Sequence, residues 1–239
     1  DAQWGLSADV HRTIVEFAQR TNDVPRMLDS MLMLGYSLRM QGRFEEATEA
    51  YAALRSAATA AKDVRYELES YLSDAKVAID RGNLPQAREL LDRTIAEGRR
   101  CECWPIVSKG LADRGRVALA SDDRDLALAS LYEALELAPD SVARERILSN
   151  IALTFAQMGL RDAARDAALL VAGTAQDRST RLTAMVNLME LAYGDGRELV
   201  FEQYRRELAA EELTPYLEVV YLETCVAGLR TFGRGVEAR

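Results

Sequence analysis

The stretch Gln41-Gly42-Arg43-Phe44-Glu45-Glu46-Ala47 returns along the chain at regular intervals and decides the fold. Its turn glycine is followed five residues later by a small alanine. A related stretch begins at residue 82 and another at 122, each after a step of 40, and further copies begin at 159, 196 and 233 after steps of 37. Such a period is typical of stacked helical units, each of which needs its neighbours to bury its apolar face.

Two further patterns share this period. Seven residues before the turn lies a mostly small residue, and the successive positions are Gly35, Ala75, Gly115, Ala152, Met189 and Val226. The connection between units repeats as well, since Thr-Asn-Asp-Val at 21–24 matches Ala-Lys-Asp-Val at 61–64. Small residues let two helix backbones approach, and glycine readily adopts the left-handed conformation that ends a helix. The patterns therefore predict pairs of antiparallel helices joined by tight turns.

Composition agrees with an all-α chain. Its 239 residues are 49% apolar, with only 14 glycines and 5 prolines, so a sizeable helical core is feasible. Alanine, leucine, glutamate and arginine are good helix formers. Long alternating runs of β-branched residues, which would indicate strands, are missing from the sequence.

Particular residues resemble a tetratricopeptide repeat (TPR). In the first full unit they are Leu34-Gly35-Tyr36, the stretch 41–47 and Tyr51. In the third they are Gly115 to Ala118, Ala127, Leu131, Ala134 and Pro139. The resemblance covers residues 24–210 well, although the usual TPR period is 34. It implies an all-α, right-handed α-solenoid of antiparallel helix pairs, a TPR-like superhelix.

The period also predicts the domain organisation. We expect a single TPR-like domain over residues 1–239, with partial repeats at both ends. The predicted boundaries are 1–24 (partial), 25–64, 65–104, 105–141, 142–178, 179–215 and 216–239 (partial). A solenoid normally ends on a polar capping helix, so we expect the sequence to be a piece of a longer protein. Such stretched units resemble repeats attached to bacterial transcriptional and peptide-sensing regulators.

Charge and apolar content argue against two classes of partner. The net charge of -8 disfavours direct binding to nucleic acid, which normally requires a basic surface. No apolar run has the length of a membrane span. Three cysteines, an odd number, do not indicate a disulfide framework, and we expect a reducing, cytoplasmic location.

The sequence predicts no catalytic, cofactor-binding or metal-binding residues. The sequence has neither a dinucleotide-binding glycine pattern nor a phosphate-binding loop, and His11 is its one histidine. Cys101-Glu102-Cys103 resembles half a metal site, but zinc would need two more ligands. The simpler interpretation is a loop between repeats, followed by a packed Trp104. Cys225 lies in an apolar segment and is expected to be buried and inert.

In TPR proteins the first helix of each repeat lines a concave groove, and this resemblance implies a set of partner-binding residues. They are Tyr36, Arg39, Lys76, Lys109, Arg116, Arg146, Asn150 and Asn187. The basic members suit carboxylates, and an asparagine can hold a peptide backbone because its amide both donates and accepts hydrogen bonds. The alternative is an ordinary solvated helix face, on which Lys109 pairs with Asp113 of its own helix.

The leading function is therefore a non-catalytic module that binds a protein or peptide, including acidic ones, in the groove. It would be the sensing or docking part of a larger bacterial regulatory protein. One alternative is a scaffold or self-association module that uses the apolar residues Tyr216, Val219, Val220 and Leu222. A second is a solenoid that senses a small molecule. The sequence leaves the oligomeric state and the identity of the partner open.

Overall fold

The computed structural model describes residues 2–234, and this range is built from helices, turns and short connections without a strand. Twelve helices lie in it. They are α1 (Ala2–Thr21), α2 (Val24–Met40), α3 (Phe44–Ala61), α4 (Val64–Asp80), α5 (Leu84–Arg100), α6 (Trp104–Ala120), α7 (Arg124–Glu136), α8 (Ser141–Gln157), α9 (Arg161–Thr174), α10 (Arg178–Gly194), α11 (Glu198–Ala209) and α12 (Pro215–Thr231). The predicted all-α helical-repeat fold is confirmed. Residues 235–239 of the last predicted partial repeat lie outside the described range.

Contacts divide the chain into two compact units, with the boundary between Asp123 and Arg124. In the first unit each helix from α1 to α6 packs on the next, and the first helices of successive repeats also touch, α2 on α4 and α4 on α6. In the second unit the same order runs from α7 to α12, with α8 on α10 and α10 on α12. A single domain over 1–239 stays a prediction.

Left-handed residues end the first helix of each repeat. The turn glycines Gly42, Gly82, Gly159, Gly196 and Gly233 have φ angles between 71° and 76°. Asp122 takes the equivalent place after α6 with φ 58°. A side chain is strained in this region, whereas glycine is not, and this explains why the turn glycine marks the period so clearly.

The first helices begin with a capping side chain. Asp23, Asp63, Asp140, Asp177 and Thr214 each accept a hydrogen bond from the backbone N–H three residues later. Such a bond satisfies one of the amide groups that a helix start leaves unpaired. In α6 the same position is held by Cys103, whose sulfur caps none of the described backbone N–H groups.

The paired helices approach most closely where one of them carries a small residue. A Cβ atom added to Gly35 in α2 would overlap the ring of Tyr51 in α3. The second helices carry fully buried alanines at Ala47, Ala87, Ala127 and Ala164. In α11 this register holds Phe201 instead, and Gly228 of α12 provides the room, since a Cβ there would overlap the Phe201 ring.

Candidate functional site

In the first unit the predicted groove residues lie on neighbouring first helices. Tyr36 of α2 is half-buried, with Trp4 of α1 edge-on to its ring at a centroid distance of 5.5 Å. The guanidinium of Arg39 lies 5.5 Å from the centre of the same ring. Because α2 touches α4 and α4 touches α6, the predicted residues of these three helices belong to adjacent surfaces.

The basic residues of this unit each have a carboxylate partner. Arg39 bonds to Asp80 at 3.2 Å, and Lys109 bonds to Glu69 at 2.6 Å. Asp113 pairs with both remaining cations. Its Oδ2 lies 3.8 Å from Lys76 Nζ, and its Oδ1 lies 3.2 Å from Arg116 Nη1. Lys109 therefore pairs with Glu69 on α4, the first helix of the preceding repeat, rather than with Asp113 of its own helix.

These ion pairs change what the basic residues offer to a partner. An incoming carboxylate would compete with Glu69, Asp80 and Asp113 instead of meeting unpaired cations. Partly exposed pairs contribute at most about 1 kcal/mol each, so exchanging one carboxylate for another gains little. The ion pairs Arg39–Asp80, Lys76–Asp113 and Lys109–Glu69 join α2 to α4 and α4 to α6. They therefore connect the first helices of successive repeats.

In the second unit a cleft of about 200 Å³ opens between α8, α9 and α10. Small residues form much of its wall, namely Ala152, Ala156, Ala164 and Ala168. Leu153, which is 41% exposed, and Leu191 add larger apolar surface. Polar groups come from Gln157, Arg161, Asn187 and Glu190. A mostly apolar hollow with a few polar groups is the usual form of a binding site.

The two asparagines predicted to hold a peptide occupy equivalent places on α8 and α10. Asn187 lines the cleft, and Asn150 lies one turn before Leu153. Both are half-buried, and neither side-chain amide makes a hydrogen bond to another residue within 2–234. An amide that is partly removed from water without a partner gains from a ligand that pairs with it.

Arg146 is exposed near the start of α8, and within residues 2–234 no carboxylate lies within ion-pair distance of it. The pKa of Asp177 is lowered, chiefly by the hydrogen bond from the Thr180 hydroxyl, with a smaller contribution from the charge of Arg146. Arg146 therefore keeps more of its capacity for an acidic ligand than the four paired cations of the first unit.

Sequence reasoning missed part of the cleft. Arg161 at the start of α9 donates a 2.8 Å hydrogen bond to the carbonyl of Gly194 and pairs with Asp195 at 3.1 Å. It belongs to a second helix, whereas the predicted site used first helices alone. The available signal was the run of small residues in α9, because alanine leaves space between helices that a larger side chain would fill.

A second hollow that sequence reasoning missed lies between α3, α4 and α5, with a volume of about 280 Å³. Arg55 pairs there with Asp74 at 2.5 Å, and burial raises the pKa of Asp74. The other carboxylate oxygen, Oδ1, has no hydrogen-bond partner among the described residues. The guanidiniums of Arg55 and Arg93 lie 4.2 and 4.3 Å from the centre of the Tyr71 ring.

The remaining candidates for chemistry are dispersed. Cys225 is buried as predicted, and burial raises the pKa of its thiol. Trp104 is 44% exposed and packs less closely than predicted. The Sγ atoms of Cys101 and Cys103 lie 2.9 Å apart. Within residues 2–234, no three His, Cys, Asp or Glu side chains are grouped so that they could hold a metal ion. No described helix combines the length and apolar character needed to cross a membrane.

Comparison with known proteins identifies the fold through structure. No protein-family model matches the chain, and no curated protein matches it significantly in sequence. The crystal structure of BtubC (BKLC) from P. vanneervenii aligns with a TM-score of 0.71 at 15% identity, covering 90% of this chain and 96% of that one. PilF of Pseudomonas aeruginosa aligns with a TM-score of 0.66 at 16% identity, covering 90% and 89%.

A tetratricopeptide repeat protein from Parabacteroides merdae aligns with a TM-score of 0.63 at 14% identity, covering 98% of this chain and 93% of that one. These alignments confirm the TPR resemblance at the level of the fold. The repeats of this chain are helix pairs of the TPR type, with longer periods than the usual unit.

Proposed function

We propose that this chain is a non-catalytic module that binds a protein or peptide, and that the cleft between α8 and α10 takes an extended segment of the partner. The observation that carries the proposal is the unpaired amide of Asn187 at a mostly apolar cleft. The helical-repeat fold supports it, because stacked repeats provide extended surfaces for partners.

The chemistry of the cleft suggests how a segment is held. The amides of Asn150 and Asn187 each offer a donor and an acceptor, and these match the C=O and N–H groups of an extended backbone. Leu153 and the small alanines of the wall leave room for an apolar side chain. An acidic group on the same segment would be met by Arg146, which is exposed and unpaired within residues 2–234.

The place of the module in a larger protein is a further part of the proposal. The resemblance of the stretched repeats to those of bacterial regulators supports a sensing or docking role in a regulatory protein of the cytoplasm. Direct nucleic-acid binding is disfavoured by the net charge of -8. Recognition would then be relayed to other parts of such a protein.

The experiment is affinity capture with the full chain, followed by calorimetry with a peptide from the captured partner. The test variant carries Asn150→Ala and Asn187→Ala, and the matched control carries Gln203→Ala on the exposed side of α11. We expect the control to keep the partner and the double variant to lose at least tenfold in affinity, since each lost bond is worth about 1 kcal/mol. If both variants bound the peptide with equal affinity, the two asparagines would not be part of the binding site.

A second candidate, self-association, is favoured by an exposed apolar strip on α12. Tyr216 is 80% exposed, Val219 55% and Leu222 52%, at the three-residue spacing of one helix side. Val220, which was predicted to belong with them, packs instead against the core. Analytical ultracentrifugation tests the idea: a dimer that forms with concentration and is lost in Val219→Glu supports it, and a monomer throughout contradicts it.

A further inference from the structure

Cys101 and Cys103 face each other across the turn that joins α5 to α6. Cys101 follows the last residue of α5, and Cys103 directly precedes α6. Glu102 lies between them in the left-handed region, with φ 57°. This backbone brings the two Sγ atoms to 2.9 Å, and Cys101 is exposed while Cys103 is half-buried.

The turn itself follows the pattern of the other connections between repeats in the first unit. Asn22 and Lys62 occupy the place of Glu102, with φ angles of 56° and 58°. The conformation that brings the sulfurs together is therefore the ordinary one for this connection. It does not require the cysteines, so their presence needs a separate explanation.

Position 103 departs from the capping rule that the other first helices follow. Asp23 and Asp63 hold this place 80 and 40 residues earlier, and each caps its helix. Cysteine is a poor capping residue, and the α6 start accordingly lacks a side-chain cap among the described residues. In place of a cap, the Cys103 thiol makes a weak contact of 3.7 Å with the Cys101 carbonyl. A residue that breaks a local rule for so small a gain is a candidate for a functional role.

We propose that Cys101 and Cys103 form a reversible dithiol–disulfide site that exchanges with low-molecular-weight disulfides of the glutathione type. The inference is independent of peptide binding, because the pair lies in the first unit and the proposed cleft lies in the second. Three observations support the proposal: the short distance between the sulfurs, the solvent exposure of Cys101 and the missing side-chain cap at Cys103.

The exchange balances in two steps. The exposed Cys101 thiolate attacks one sulfur of the small disulfide, forms a mixed disulfide and releases one thiolate. Cys103 then loses its proton and attacks Cys101 Sγ, which forms the Cys101–Cys103 bond and releases the second thiolate. Both protein thiols are oxidised, giving up two electrons and two protons, and the small disulfide is reduced to two thiols.

The electrostatics agree with this order of events. The hydrogen bond shared with Cys101 is the main cause that raises the pKa of Cys103 to about 11, and burial adds to it. Cys103 therefore holds its proton more tightly than an ordinary cysteine does, which suits the thiol that reacts second. Cys225 is buried in the second unit, so it provides an internal thiol that the small disulfide should not reach.

The test incubates the full chain in glutathione buffers of increasing oxidised fraction, with an acid quench, alkylation in denaturant so that the buried Cys225 also reacts, and intact-mass measurement. We expect a loss of two hydrogens, peptide mapping to a Cys101–Cys103 link, one alkylated thiol at Cys225, and full reversal by dithiothreitol. Cys103→Ser should stop at a mixed disulfide on Cys101. Cys103→Asp, which restores a capping residue, keeps the fold intact while removing the link.

Three results would overturn the proposal. The first is an unchanged mass in fully oxidised glutathione. The second is a parent chain that stops at the mixed disulfide with Cys103 still free. The third is a disulfide between two chains in place of the internal link, seen as a dimer on non-reducing gels. Circular dichroism of each variant shows that its helices are intact.

Discussion

Lys109 of α6 donates a 2.6 Å hydrogen bond to Glu69 of α4, forty residues earlier in the chain. The pair joins the first helices of two repeats, although Lys109 is 42% exposed at its side chain. We expect a double-mutant cycle of Lys109→Ala and Glu69→Ala in urea unfolding to give a coupling energy of up to about 1 kcal/mol. The comparison is the pair Asp9–Arg12 within α1, which is more exposed and should couple less. A coupling energy of zero would show that the Lys109–Glu69 pair does not stabilise the contact between the two repeats.

Gly35 should not tolerate even a methyl group. Its added Cβ would overlap the Tyr51 ring, which is fully buried, so we expect Gly35→Ala to lower the free energy of unfolding by about 1–3 kcal/mol. Gly173 of α9 is the matched control, because no atom outside its own stretch of helix lies within 4 Å of its added Cβ. There alanine should raise stability by up to about 1 kcal/mol. Equal effects of the two substitutions in urea unfolding would contradict the close approach of α2 and α3.

Asp74 and Glu202 are carboxylates of similarly low solvent exposure with opposite responses to pH. Their side chains are 12% and 11% exposed. Burial raises the pKa of Asp74 against the opposing charge of Arg55. The hydrogen bond from Arg205 lowers the pKa of Glu202 against burial, with help from Arg234. Desolvation of Asp74 outweighs its single guanidinium partner, whereas the two guanidinium partners of Glu202 outweigh the desolvation of that carboxylate.

For Asp74 the folded state binds its proton more tightly than the unfolded state. Its contribution to stability is therefore greatest in acid and falls as pH rises from the ordinary aspartate value of 3.8 through the raised folded value. We expect Asp74→Asn to remove this slope and to be at least as stable as the parent at neutral pH. Urea unfolding at several pH values measures it, and a large loss of stability at neutral pH would show that the Arg55 pair outweighs desolvation.

Glu202 should behave in the opposite way. Its stabilising contribution is complete above the ordinary glutamate value of 4.5 and is lost as pH falls through the lowered folded value. Glu202→Gln should therefore be less stable than the parent at neutral pH, and the difference should vanish in acid. The same urea series provides the measurement. A difference that stays constant with pH would assign the loss to packing instead of charge.

Restoring the missing cap should stabilise α6. Cys103 has φ -80° and ψ 61°, close to the values of -86° and 79° at Asp23, so aspartate fits the backbone. We expect Cys103→Asp to raise the free energy of unfolding by about 1 kcal/mol. Asp63→Ala at the equivalent start of α4 should lower it by a similar amount. Thermal unfolding under reducing conditions checks both, and an unchanged Tm in Cys103→Asp would contradict the capping argument.

The repeat fold could be predicted from the sequence because its signals are local. A glycine such as Gly42 enters the left-handed region without strain, and small residues such as Gly35 permit a close helix crossing. Both leave a visible mark at a fixed spacing. Lys62 and Glu102 take the same left-handed conformation without a glycine, and the sequence shows these positions only through their period.

The candidate site was less accessible to sequence reasoning. The predicted basic residues are present, but their ion pairs join different helices and depend on side-chain geometry that spacing does not encode. Arg161 reaches the cleft region from a second helix and followed no predicted pattern. Cys103 did leave a signal, since it stands 40 residues after Asp63, but this signal is informative only once Asp63 is known to cap a helix.

The packing of Phe201 on Gly228 makes these two positions depend on each other. Phe201 stands where other repeats have an alanine, and its ring fills the space in which a side chain at 228 would begin. A glycine at 228 facing an alanine would merely leave a gap, whereas phenylalanine facing any larger residue would clash. The identities of positions 201 and 228 are therefore coupled, because the ring at one is accommodated only by the absence of a side chain at the other. Neither residue can be exchanged alone at low cost.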